Sequence, residues 1–151
     1  MFLDSDEHLE GQPVISDEFS GYRIKRNNFF LGKFVGSDWI IRLGRKNSGK
    51  WIRRVHETWN IKGKVGELRD VVIVHNTAQN LSDYIKKIDF YSTLHAGANK
   101  EEGKKSNLFK IVFYPLGKFI VTFAKSRHAV FSIMQAFHSF LSWSKLYFLH
   151  S

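Results

Sequence analysis

Along the first half of the chain hydrophobic and polar positions alternate, and in the second half apolar positions recur every three to four residues. Tyr22 and Ile24 alternate with Arg23 and Lys25, the period-two pattern of a half-buried strand. Residues 39–43 form a second strand candidate, followed by the turn signal Asn47-Ser48-Gly49-Lys50. Residues 51–57 resume extended character, which predicts a hairpin. Residues 65–75 end in Val71-Val72-Ile73-Val74, a short β-branched run that marks a buried strand. Two stretches read as loops: 8–20, with Gly11 and Pro13, and 27–37, where Gly32 and Gly36 sit among Phe29, Phe30, Leu31 and Phe34. The second is expected to pack down on itself.

From Asn80 the period changes. Leu81, Tyr84, Ile85, Ile88 and Tyr91 recur at helical spacing, and Asn80 followed by Asp83 resembles an N-cap with an acidic third position. Residues 96–107 are a polar break, and an apolar tail follows in two segments. In 108–125, Lys110, Gly117, Lys118 and Lys125 share a narrow stripe, and Pro115 is expected to kink or restart the helix. In 129–149, Ser132, Gln135, Ser139, Ser142 and Lys145 line one face and large apolar residues fill the others. Lys, Pro or Gln interrupts both segments short of the ~20 apolar residues that a membrane span needs. A helix lying in the membrane interface fits this pattern, and so does a helical hairpin packed on the domain or on a second subunit. The order predicts an α/β chain in two parts, residues 1–106 and a helical extension over 107–151.

Composition narrows the partners more than the fold. A length of 151 residues suits one domain with an appendage, and 43% hydrophobic with 15% aromatic residues supports a packed core. Cysteine is absent, which excludes disulfides and thiolate metal sites and leans toward the cytosol. The start lacks the positive leader and apolar run of a signal peptide. A net charge of +9 points to an anionic partner: nucleic acid, acidic headgroups or phosphorylated sugars.

Four groups of residues could carry chemistry. Phe2-Leu3-Asp4-Ser5-Asp6-Glu7 places two carboxylates one residue apart, the Asp-x-Asp arrangement that holds Mg²⁺ or Mn²⁺ against a nucleotide diphosphate. Val55-His56-Glu57 sets a carboxylate beside an imidazole at a strand end, either a general base with its neighbour or a surface pair. His75 stands where the buried strand gives way to the next loop. Arg42, Arg45, Lys46, Lys50, Arg53 and Arg54 form a basic set that could meet a diphosphate or line a solvated face. Trp39, Trp51 and Trp59 among them could stack on a sugar or serve as core.

Taken in order, Leu3-Asp4-Ser5-Asp6-Glu7, Gly21-Tyr22-Arg23-Ile24-Lys25-Arg26-Asn27, Arg42-Leu43-Gly44-Arg45-Lys46, Val55-His56-Glu57, Gly63-Lys64-Val65-Gly66-Glu67-Leu68 and the strand to His75 resemble a family 2 glycosyltransferase. The likeness is to the branch of lipopolysaccharide-core and related cell-surface glycan transferases. Lys87-Ile88-Asp89-Phe90-Tyr91-Ser92 and Lys145-Leu146 resemble its later helices. The resemblance implies a partial GT-A-type mixed sheet with a flanking helix and a C-terminal apolar helical tail. It implies inverting, metal-dependent transfer from a nucleotide-sugar donor to a glycan or lipid-linked acceptor. By resemblance, Asp4 and Asp6 match the metal motif, Glu57 the base and Arg42 with Arg45 the basic pair. His56 or His75 would assist, His75 at the metal, and Trp51 would touch substrate.

The chain departs from the family pattern at Ile40, where Gln is common, and at Gly44, where Phe is common. The family's nucleotide-binding half precedes the Asp-x-Asp strand, so the chain reads as the acceptor-side half. The expected location is peripheral, on the cytoplasmic face of the cell membrane, with contact through 108–149. A non-catalytic, basic membrane-surface binder is the alternative. No nucleic-acid partner is expected, since no zinc finger or RNP signature is present.

Overall fold

Strands occupy the first half of the chain because its apolar residues alternate or are β-branched. They are β1 (Glu7–Glu10), β2 (Gly21–Phe30), β3 (Lys33–Gly44), β4 (Gly49–Ile52), β5 (Thr58–Ile61) and β6 (Val65–Asn76). Three helices follow, α1 (Leu81–Glu101), α2 (Leu108–Ser126) and α3 (Ala129–Phe148). This computed structural model describes residues 1–52 and 58–149, with the backbone alone at Trp51, Ile52 and Thr58. The fold is mixed α/β, as expected. Its compact units are Met1–Ala78 and Gln79–Ser151, so α1 belongs with α2 and α3, whereas the boundary read from the sequence falls after residue 106.

In the first unit a four-stranded mixed sheet has the order β1-β6-β2-β3, with β2 and β6 parallel and the outer pairs antiparallel. Tyr22 and Ile24 of β2 and Leu68, Val71 and Ile73 of β6 form the core, with Leu9, Phe19, Ile40 and Leu43 packed against it. The segment 27–37, expected as a loop, is instead a hairpin: Phe30 pairs with Lys33 across the two-residue turn Leu31-Gly32. Both turn residues have positive φ, 49° and 76°, which matches the right-handed twist of the flanking strands. The pattern was hidden because Leu is an unusual occupant of that position. Residues 8–10 were likewise absorbed into a loop, and with Glu7 they form the short edge strand β1.

β4 and β5 pair with each other, with Ile52 opposite Thr58, and form a separate ribbon. Trp59 of β5 packs edge-on against Phe2, with ring centroids 4.8 Å apart. Its ring covers Gly44, where an added Cβ would collide with it. That contact accounts for glycine at a position where the resemblance led one to expect Phe. Gly44→Ala is expected to destabilise the first unit by about 1–3 kcal/mol, by overpacking. Thermal unfolding followed by tryptophan fluorescence would register it, and an unchanged midpoint would mean that Trp59 is not seated there.

In the second unit Asn80 caps α1, its Oδ1 accepting from the Asp83 amide at 2.9 Å, as the sequence suggested. Tyr84, Ile88, Ser92 and Ala96 form the buried stripe of α1. α3 packs against both α1 and α2. Pro115 lies inside α2 rather than ending it, with helix assigned on both sides. No described helix is long and apolar enough to cross a membrane.

Candidate active site

The inward face of β2 carries Tyr22 and Ile24 and then turns polar at Arg26 and Asn28. The strands beside it change character at the same level. On β6, Ile73 is followed by His75 on the same face, which lies opposite Asn28 in the parallel pairing. Across the hairpin Arg26 faces Asp38. On the far side Glu7 of β1 pairs with His75. A bulge in β3, where Tyr22 pairs with Leu43 and Arg23 with Ile41, leaves Arg42 as the extra residue and re-aims its side chain. One end of one sheet face therefore gathers charge.

The acidic turn is tied to this end by its backbone. The Phe2 amide donates to the Arg42 carbonyl at 2.9 Å, Glu7 to the Asp4 carbonyl at 3.0 Å and Asn76 to the Asp6 carbonyl at 3.0 Å. Side chains complete a continuous network. Arg42 Nη2 donates to Asp4 Oδ2 at 2.5 Å and to Glu7 Oε1 at 2.9 Å. Arg26 donates from Nη1 to Glu7 Oε1 at 3.0 Å and forms a two-pronged pair with Asp38 at 3.1 and 2.8 Å. Asn28 Nδ2 donates to Asp38 Oδ1 at 2.9 Å, and its Oδ1 lies 2.8 Å from His75 Nδ1. His75 Nε2 stands 3.4 Å from Asp6 Oδ2.

The electrostatics follow from these contacts. The Glu7 side chain has no exposed surface. Burial pushes its carboxyl up, but the Arg26 and Arg42 guanidiniums and the Asp4 amide outweigh this and hold it below the usual glutamate range. For Asp38 burial again raises, and Arg26 with Asn28 lowers further, so it too is depressed. Burial lowers Arg26, yet Asp38 and Glu7 leave it raised. Asn28 donates through Nδ2 to Asp38, so its oxygen faces His75 and a proton belongs on Nδ1. Nε2 of the same ring faces the Asp6 carboxylate, so this imidazole and carboxylate can pair with each other when the ring is protonated or offer a nitrogen and an oxygen donor to a cation when it is not. The cluster also sets four carboxylates (Asp4, Asp6, Glu7, Asp38) against two guanidiniums, a local excess of negative charge in a basic chain.

Of the residues singled out from the sequence, Asp4, Asp6, Arg42 and His75 are brought together at this end. Within it the two carboxylates have different partners: Asp4 is engaged by Arg42, and Asp6 lies by His75. Among the described residues no group of three or more His, Asp or Glu side chains is arranged to hold a metal ion. Arg42's charge is balanced by Asp4 and Glu7, and its Nε is buried with no hydrogen-bond partner among the described residues. Arg45 lies apart, donating to the Asp17 backbone and to Asp17 Oδ1 (2.8 Å) and the Phe19 carbonyl (3.1 Å). His56 and Glu57, and the side chain of Trp51, lie outside the described residues. Sequence reasoning missed Glu7, Arg26, Asn28 and Asp38. The available signal was polar residues continuing the inward parity of Tyr22 and Ile24.

No family model matches the chain, and no solved structure matches it. It is similar to LpsC of Rhizobium meliloti, described as a lipopolysaccharide core biosynthesis glycosyltransferase, at 27% identity over 171 aligned positions. The match covers 99% of this chain and 63% of that relative, so the chain spans somewhat under two thirds of its length.

Proposed function

We propose that this chain carries a glycosyltransferase centre of family 2, GT-A type, which moves a sugar with inversion from a nucleotide-sugar donor to a cell-surface or lipid-linked glycan. The carrying observation is the acidic turn fixed beside His75, with Nε2 of that ring 3.4 Å from Asp6 Oδ2. Similarity to the lipopolysaccharide-core enzyme supports the reaction class and the acceptor class.

In this reading Asp6 and His75 hold Mg²⁺ or Mn²⁺, an oxygen and an imidazole donor suited to the latter, with donor phosphates as further ligands. Bound there, the cation would offset charge on the departing diphosphate. Asn28, Asp38 and Arg26 keep the imidazole proton on Nδ1, and Glu7 with Arg42 holds the acidic turn, Asp4 included. Glu57 takes the acceptor hydroxyl proton as that oxygen bonds to the anomeric carbon and the bond to the diphosphate breaks on the opposite face. His56 orients Glu57, Trp51 stacks on sugar, and Arg45 borders the acceptor path. The work takes place on the cytoplasmic face of the cell membrane, with the second unit in peripheral contact.

Mn²⁺ binding in the presence of a nucleoside diphosphate, followed by electron paramagnetic resonance, tests the centre. Binding is expected in the parent chain and in Asp4→Asn, and to weaken about 10–100-fold in Asp6→Asn and in His75→Gln. Unaltered binding in both of the latter variants, or sugar transfer that persists in excess chelator, would refute the assignment.

A second reading, a non-catalytic membrane-surface binder, is favoured by the apolar outward face of α2. Asp6→Asn separates the two, because vesicle affinity would survive it and transfer would not.

A further inference from the structure

We infer that α2 docks on an anionic lipid surface, its outward apolar face entering the headgroup boundary and its lysines meeting lipid phosphates. The inference deepens the membrane contact proposed above and rests on it.

The second unit is built with its polarity reversed. The polar stripe of α3 faces inward: Ser132 and Ser142 are buried, Gln135 Nε2 donates to the Tyr84 hydroxyl at 2.7 Å, and Lys145 Nζ reaches Asp89 Oδ1 at 2.6 Å and Ser92 Oγ at 2.9 Å. The large apolar residues Ile133, Phe137 and Phe140 are exposed. Burial also lifts the Tyr84 hydroxyl to about 12, partly offset by Gln135, so it stays neutral in this interface. α2 goes further, since none of its residues is buried. At about 100° per residue, Val112, Phe123, Leu116, Phe109, Ile120 and Phe113 follow one another over an arc of about 100°, and all six are exposed. A helix pair made for water would not leave such a face uncovered.

Charge selects the cover. Residues 108–149 contain Lys110, Lys118, Lys125, Arg127 and Lys145 and no Asp or Glu. Lys145 is engaged by Asp89, and Lys110 by the Lys105 carbonyl and the Trp143 ring. Lys118 and Lys125 remain exposed on the side of the helix away from the apolar arc, and Arg127 is exposed at its C-cap. An apolar sector beside a stripe whose only charges are cationic is the cross-section of a helix lying in an anionic interface. A second copy of the chain would bring the same positive charges against themselves.

Co-sedimentation of the chain with vesicles of pure phosphatidylcholine, and with vesicles containing about 30% phosphatidylglycerol, tests this. Binding to the anionic vesicles is expected to exceed binding to the neutral ones by about tenfold or more, and to weaken with added salt. Lys118→Gln with Lys125→Gln, both exposed, should remove about tenfold of the anionic binding while leaving the helical circular dichroism intact. Leu116→Ser with Ile120→Ser should lower binding to both kinds of vesicle. Equal binding to the two compositions would overturn the lipid-charge inference and leave membrane contact standing. Absence of binding to either would overturn both, and concentration-dependent self-association in sedimentation velocity would then assign the face to a second copy.

Discussion

Glu57→Gln is expected to lower sugar transfer by roughly 10²–10⁴-fold while leaving Mn²⁺ binding intact. Gln keeps the shape of Glu and loses the ability to take the acceptor's proton, so the loss would fall on the chemical step. His56→Ala should cost much less, because in this reading it orients the carboxylate. A large loss in His56→Ala with little change in Glu57→Gln would transfer the base role to the imidazole.

Glu7→Ala is expected to cost about 3 kcal/mol, a large share of the stability of a unit this size. The side chain has no exposed surface, and its removal takes one of two carboxylate partners from each of Arg26 and Arg42, leaving Asp38 and Asp4 as their remaining partners. Glu7→Gln keeps the shape and one acceptor and should cost less. The same residue governs acid behaviour. Its folded-state pKa is depressed, so its contribution is complete above the ordinary value of 4.5 and is lost as pH falls from there through the folded value. Asp38 adds in the same direction, less strongly because its side chain is partly exposed. Urea midpoints of the parent chain should hold steady from neutral pH to about pH 5 and then drop, and the drop should be shallower in Glu7→Gln. Parallel profiles for the two proteins would mean that Glu7 is not the acid-sensitive group.

Much of the fold could be read from local pattern. The strand at Tyr22, the buried run ending at His75 and the capped helix at Asn80 all emerge from periodicity and capping chemistry, which act within a few residues. The hairpin through Leu31-Gly32 did not, because a positive φ at a leucine is a cost met by cross-strand pairing that lies outside the local window. For the same reason Asn28 was taken for a loop residue, Asp38 fell between the loop and the next strand candidate, and both were left out of the site.

The amino-acid order by itself determined an α/β chain without cysteine, a basic balance, an acidic N-terminal cluster and a tail rich in apolar and cationic residues. Only the tertiary structure decided which partner each carboxylate has. Pairing β1 to β6, and β6 in parallel to β2, sets Asp6 by His75 while the bulge in β3 turns Arg42 onto Asp4 and Glu7. It also decided that the polar stripe of α3 faces inward and the apolar arc of α2 outward. Periodicity reports that two faces differ; which face meets protein, and which charge meets which, depends on non-local pairing that no short window contains.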